Sequence, residues 1–239
     1  MKNKTLWKQV GAAAIAAAMV MSTVPATPVQ AAGGKTLAVS SQKQLNQALK
    51  TVKGKNAVIT VKAGKNVKIT IPKGTYKVTI RVVGKKAAVV NNGTVKEIVV
   101  NSKGTVTIKN NGTIKKVTVQ NAKSVSFSGN CKKAVPVVVN AEDVSMILAA
   151  PAKITAKKDV NIVLKKGAEK SSITCTKNAQ AQVDNQTKKA ISVKIADGTT
   201  LKVESGESCT ITPKGKKEDT SGEDKTDEKD KTDGKDQKT

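Results

Sequence analysis

One short phrase recurs at a fixed spacing, and that recurrence restricts the chain to folds built by stacking like units. Asn91-Asn92-Gly93-Thr94-Val95-Lys96 superimposes on Asn110-Asn111-Gly112-Thr113-Ile114-Lys115 at a step of 19. Ile98 and Val100 then fall on Val117 and Val119, and Val106 and Ile108 on Val125 and Phe127. Another step of 19 lays Asn121-Ala122, Val125 and Phe127 on Asn140-Ala141, Val144 and Met146. Backwards, Val106 and Ile108 map onto Ala87 and Val89, and a step of 20 reaches Val67 and Ile69. Forwards, Asp159-Val160-Asn161-Ile162 echoes Asp143-Val144-Ser145-Met146 after 16 residues.

Within each unit the apolar residues alternate with a period of two and are punctuated by Gly and Asn, as in Gly104-Thr105-Val106-Thr107-Ile108. That is strand patterning. A strand period inside a repeat near 19 residues means a coil of short strands, in which no unit buries its apolar face alone and neighbours must stack. Asn92, Asn111 and Asn130 share the spacing of 19. They are expected at turns, laddering their amides along the axis.

The expected fold is therefore all-β: a right-handed parallel β-helix with rungs of about 19–20 residues. Left-handed hexapeptide coils keep a strict sixfold pattern that this chain lacks. A flattened two-sided solenoid and a β-sandwich are the alternatives. Solenoid ends need covers. Ser40 to Leu49 supplies one as a short amphipathic helix, with a Ser cap, Gln44 three positions after Ser41, and Leu45, Ala48 and Leu49 on one face. Ile191 to Ala196, Asp197-Gly198 and Thr200 to Val203 read as a closing hairpin. The organisation that follows is a signal peptide over 1–31, a cap over 32–52, the solenoid over 53–185, a closing hairpin over 186–213 and a disordered polar tail over 214–239.

The outer segments are read from composition. Lys2, Lys4 and Lys8 precede an uncharged Ala-rich run from Val10 to Val24, and small residues lead to Ala31. This matches a secretory signal cleaved after Ala31; an N-terminal anchor helix is the alternative. The expectation is an extracellular or surface-associated protein with no membrane span after cleavage. Residues 214–239 have no apolar side chain to bury.

Charge narrows the partners. Of 43 basic and 18 acidic residues, 32 and 9 fall between Ala32 and Pro213. Such an excess attracts polyanions. Arg81 is the one Arg in the chain, and Lys acts as a hydrated point charge rather than a two-pronged fork, so salt-sensitive attraction is expected in place of sequence-specific nucleic-acid readout. Tyr76 and Phe127 are the only aromatic residues after Ala31, too few for base stacking or a sugar platform. With no His and three scattered cysteines, Cys131, Cys175 and Cys209, no metal site is expected. An exported chain could form one disulfide and leave one thiol. Strand parity places Cys175 with Ile173 and Cys209 with Ile211, as small core hydrophobes.

Thr36 to Ser41, the helix through Leu49, Ala57-Val58-Ile59-Thr60-Val61 and Ile71-Pro72-Lys73-Gly74-Thr75-Tyr76 together resemble the opening of pectin-lyase-like right-handed β-helices. They also resemble lysine-rich β-solenoid surface proteins of Gram-positive gut bacteria. The similarity spans roughly residues 36–165 and implies fold more than activity.

Lyases and hydrolases of that family work with clustered carboxylates. Here Glu142, Asp143 and Asp159 are the only acids placed to stack on adjoining rungs, fewer oxygens than a hard cation needs. No catalytic residue, metal or cofactor is therefore assigned, and Arg81 is read as simply pointing outward. Lysines recur along successive rungs at Lys62, Lys65, Lys68, Lys85, Lys103, Lys115, Lys116, Lys123, Lys132 and Lys133. Lys103, Lys115, Lys116, Lys123, Lys132 and Lys133 are the expected ligand-binding residues of a non-enzymatic adhesin or scaffold for anionic polysaccharide or cell-wall polymer. The alternative is a degenerate β-helix polysaccharide lyase or hydrolase. A Thr/Ser face, Thr105 and Thr107 above Ser124 and Ser126, is too short for an ice-binding array.

Overall fold

In the computed structural model the described residues are 35–64, 67–213 and 217–219. The expected signal segment 1–31, Lys65 and residues 220–239 lie outside them. In chain order the elements are β1 (Lys35–Val39), α1 (Gln42–Thr51), β2 (Ala57–Ala63), β3 (Val67–Ile71) and the long strands β4 (Thr75–Asn91) and β5 (Thr94–Asn110). Then come β6 (Thr113–Ile114), β7 (Val117–Asn121), β8 (Ser124–Ser128), β9 (Val135–Val139), β10 (Val144–Ala149), β11 (Ala152–Ala156) and β12 (Val160–Leu164). The last are β13 (Ser172–Cys175), β14 (Ala181–Asn185), β15 (Ile191–Lys194), β16 (Thr200–Val203), β17 (Ser208–Ile211) and β18 (Lys217–Asp219). They wind a parallel β-helix of about eight turns.

Two stacks of parallel strands carry the coil. The first runs β1, β2, β4, β5, β7, β9, β11, β13, β15. Its pairings align Ile59, Ile80, Ile98, Val117, Val137, Ile154, Ile173 and Val193 in one inward column, each at most 1% exposed. The second runs β3, β4, β5, β8, β10, β12, β14 and aligns Ile69, Val89, Ile108, Phe127, Leu148 and Leu164. β4 and β5 turn the corner between the stacks without a break and so belong to both. Alternation explains the selection of residues: every second side chain of a strand points one way, so the apolar members reach the core and most of the Thr, Ser and Lys between them stay outside.

The rungs differ in length. Val106 pairs with Val125 at a step of 19, Ile98 with Val117 at 19, Val117 with Val137 at 20 and Met146 with Ile162 at 16. One expected step is corrected. Val125 and Phe127 pair with Met146 and Leu148, a step of 21, and not with Val144 and Met146. A shift of two residues keeps every side chain on its own face, and Val144, Met146 and Leu148 are all apolar, so the pattern alone could not distinguish the two registers.

Both ends are closed by polar groups as well as apolar ones. Ser41 caps α1, its Oγ accepting from the Gln44 backbone N–H at 3.3 Å, while Gln44 Oε1 accepts from Ser40 N–H at 2.7 Å. Leu45, Ala48 and Leu49 face the core, as expected. Gln42 is the unexpected part of the cap: its amide accepts from Thr70 N–H at 2.6 Å and donates to Thr70 C=O at 2.8 Å. One side chain thus stands in for the strand that β3 lacks on its outer edge.

At the far end β15 still pairs in parallel with β13, so the coil runs past residue 185. The expected hairpin is present as β15 and β16, antiparallel. It is joined by β17, antiparallel on β14, and by β18, antiparallel on β17. Lys217–Asp219, placed by composition in the polar tail, therefore form a strand, because the open edge of β17 offers backbone partners that need no apolar side chain. The fully buried Asn185 ties the closure together. Its Nδ2 donates to the carbonyls of Lys189, Val203 and Glu204 at 2.9–3.0 Å, and its Oδ1 accepts from Thr187 N–H and Oγ1 at 3.1 and 2.7 Å.

The register makes a test of the core. Phe127 is 1% exposed, whereas Ser126 lies on the outer face. Phe127→Ala is expected to cost about 3–5 kcal/mol in urea unfolding, and Ser126→Ala within about 0.5 kcal/mol. Equal losses would contradict the inward and outward assignment.

Candidate functional site

The six candidate lysines are all exposed, and the coil divides them. Lys103 and Lys123 sit where the chain passes from the first stack to the second; Lys123 N–H donates to the Gly104 carbonyl at 3.0 Å, so they belong to adjoining rungs. Lys115, Lys116, Lys132 and Lys133 sit on the return side, between β6 and β7 and between β8 and β9. They form two basic edges, not one site. Of the other recurring lysines, Lys62 and Lys85 join the first edge, and Lys68 lies on the outer face of β3.

Few acids balance these edges. Between Glu97 and Glu142 the sequence contains no Asp or Glu, and all six candidates lie in that interval. Among the described residues two ion pairs form, Lys116 with Glu97 at 3.3 Å and Lys158 with Glu142 at 2.6 Å. Glu97, only 15% exposed at its side chain, also accepts from Thr118 Oγ1 at 2.6 Å. Lys116 is therefore partly neutralised, whereas among the described residues its five companions form no ion pair.

The stacked acids are engaged structurally. Asp143 N–H donates to the Asp159 carbonyl at 3.0 Å, which confirms the adjoining-rung placement. Asp159 Oδ1 accepts from Gln180 N–H at 2.8 Å. The hydrogen bond from Lys158, reinforced by its charge, lowers the Glu142 carboxyl below its ordinary range and raises the Lys158 ammonium. No cluster of three or more metal-ligating side chains occurs among the described residues. Arg81 does point outward on the first stack, yet its Nε is buried without a hydrogen-bond partner.

On the return side the two stacks are joined by a third, very short one. Thr75, Thr94 and Thr113 are in register, as are Tyr76, Val95 and Ile114. It stops there. The next turn of chain, from Asn130 to Ala134, keeps Cys131 packed against the core but adds no strand to β6, and a groove of about 600 Å³ lies beside it. Asn111, Asn130, Lys132 and Lys133 form its exposed rim, and buried Ile114 and Val135 its floor.

Amide ladders brace the inner wall. The exposed Asn111 Nδ2 donates to Asn92 Oδ1 at 3.1 Å, one step of the expected axial ladder; among the described residues no hydrogen bond continues it to Asn130. A second, buried ladder runs beside it: Asn91 Nδ2 donates to Asn110 Oδ1 at 2.8 Å, and Asn110 Nδ2 to Cys131 Sγ at 3.3 Å. Asn91 and Asn110 also accept from Gly93 and Gly112 N–H, so each shapes its own turn. Gly129, at φ +118°, lies against the Asn110 backbone, where a Cβ would collide with the Asn110 carbonyl. The sequence repeat contained both asparagine pairs, but nothing in it marked Asn91 and Asn110 as the buried ones. The acid-free interval 98–141 is visible in the sequence itself.

None of the three cysteines is in a disulfide. Cys175 and Cys209 are core residues, as parity indicated, and Cys131 is half-buried against the groove. Burial pushes the Cys175 thiol up to about 11 and raises Cys131 despite its bond from Asn110. No protein-family model, curated protein or solved structure matches the chain. What stands of the pectin-lyase-like resemblance is the parallel β-helix itself.

Thiol accessibility checks this arrangement. With an aromatic disulfide reagent at about pH 8, where thiolate is the reactive form, the native chain should release a single slow equivalent from Cys131. All three should react on unfolding. Equal reaction of all three in the native state would contradict the burial of Cys175 and Cys209.

Proposed function

We propose that the coil is a non-enzymatic, secreted or surface-associated scaffold that holds anionic polysaccharide or cell-wall polymer along its lysine edges. One observation carries the reading: over residues 98–141 exposed lysines recur turn after turn with no acid among them. Strands of adjoining rungs lie about 4.8 Å apart. Basic side chains at that spacing raise the local potential together and suit a polymer whose own charges repeat. A degenerate lyase or hydrolase would need acids free for chemistry, and Glu142 and Asp159 are committed to Lys158 and Gln180.

Attraction of this kind is screened over about 8 Å at physiological ionic strength. Affinity for a uronate polymer should therefore fall steeply as salt rises, and polymers of equal charge density but different sugars should bind alike. Replacing Lys115, Lys132 and Lys133 together by Glu should weaken binding with the fold intact, since surface changes usually cost within about 0.5 kcal/mol each. Lys116 is left in place because its reversal would set a second carboxylate beside Glu97. Salt-insensitive binding of one neutral glycan would overturn the mechanism. Turnover of a uronate polymer, lost on Asp143→Ala, would move the assignment to an enzyme.

A further inference from the structure

We propose that the groove beside β6 is a discrete subsite for an acidic sugar unit, a ring bearing hydroxyls together with a carboxylate or sulfate. The inference rests on the polyanion reading and deepens it: the edges attract a polymer without regard to its sugars, and this one turn recognises a short piece of it.

Four features distinguish the groove from the rest of the lysine surface. It has depth. At about 600 Å³ it falls within the range of small-molecule sites, roughly 300–1,000 Å³. Its rim joins two kinds of group, the ammonium groups of Lys132 and Lys133 and the carboxamides of Asn111 and Asn130. Lys offers only donors and a positive charge, whereas a carboxamide both donates and accepts, which is what a hydroxyl next to an anionic group requires.

The third feature is an unfinished ladder. β6 pairs with β5 alone, Thr113 N–H bonding to the Gly93 carbonyl at 2.8 Å and Lys115 N–H to Val95 at 3.1 Å. Alternate residues of a parallel strand direct their backbone groups to opposite sides, so the N–H and C=O of Ile114 face the groove, where the Asn130–Ala134 segment does not continue the stack. The fourth is rigidity. Asn111 is held by Asn92, and the wall behind it by the Asn91–Asn110–Cys131 ladder, so these groups lose little freedom when a ligand binds. Among the described residues neither Lys132 nor Lys133 takes part in an ion pair.

The two basic edges supply the control. Titration calorimetry of the full chain at fixed ionic strength should show saturable one-to-one binding of a uronic-acid trisaccharide, with a sulfated trisaccharide as a second arm and a neutral one as the blank. Replacing Lys132 and Lys133 by Ala should weaken the acidic trisaccharide at least tenfold, as should Asn111→Ala. Because Asn111 also holds Asn92, Asn130→Ala provides a variant outside that ladder and should weaken binding too. The Lys103→Ala, Lys123→Ala pair, on the other edge, should leave trisaccharide affinity unchanged while weakening the long polymer.

Equal losses from the two lysine pairs, or no saturable trisaccharide binding while the long polymer still binds, would overturn the subsite and leave the polyanion reading in place. Failure of the long polymer to bind would overturn both. Tight binding of the neutral trisaccharide would show that the groove reads hydroxyls without charge, and would likewise overturn the assignment.

Discussion

Everything in this molecule depends on the parallel backbone ladder between one turn and the next. It fixes the height of each rung at the strand spacing of about 4.8 Å and places each residue directly above its counterpart. Once the ladder exists, a choice made at one position is repeated or answered one turn away. The apolar columns are one result, with Ile59 beneath Ile80 beneath Ile98. The amide ladders are another, because Asn91 and Asn110 meet only when their rungs are in register. Burying a carboxamide is costly unless its donors and acceptors are met. In this core each buried Asn is met by its neighbour above, its own turn, or both.

Much of the ladder was legible in the sequence. The step of 19 between Val106 and Val125, the step of 20 between Ile69 and Val89, and the short step of 16 from Val144 to Val160 all appear as pairings. The helix, its cap and its buried face were legible because they depend on residues within one turn of one another. The single step from Val125 to Met146 was not, since periodicity of two is blind to a shift of two. The groove was hidden for a different reason. It arises where the third stack stops at Ile114, and a stretch such as Asn130-Cys131-Lys132-Lys133 reads the same whether or not it pairs with β6.

The lysines show how little a count says about a site. Lys115 and Lys123 lie eight positions apart in the chain and on opposite edges, while Lys115 and Lys132, farther apart in sequence, share one. Only the corner in which each residue falls separates them. The same logic sets Lys116 apart, because Glu97 stands across from it on the adjoining rung and accepts its proton-bearing end as well as the Thr118 hydroxyl.

The Gln42 amide also bears on how such a coil can begin. Contacts in a solenoid are made to adjoining turns, so growth from one end resembles a one-dimensional chain in which the first turn is the hardest to form and each later turn finds a template waiting. A helix of ten residues is marginal alone in water and needs the coil behind Leu45, Ala48 and Leu49 to hold it, but its turns close far faster than distant strands find one another. By presenting a donor and an acceptor to Thr70 at backbone spacing, α1 gives β3 the contacts that one more strand of the coil would have made. The cap is then a substitute strand as much as a lid, and without it the Thr70 backbone would be left as an open edge.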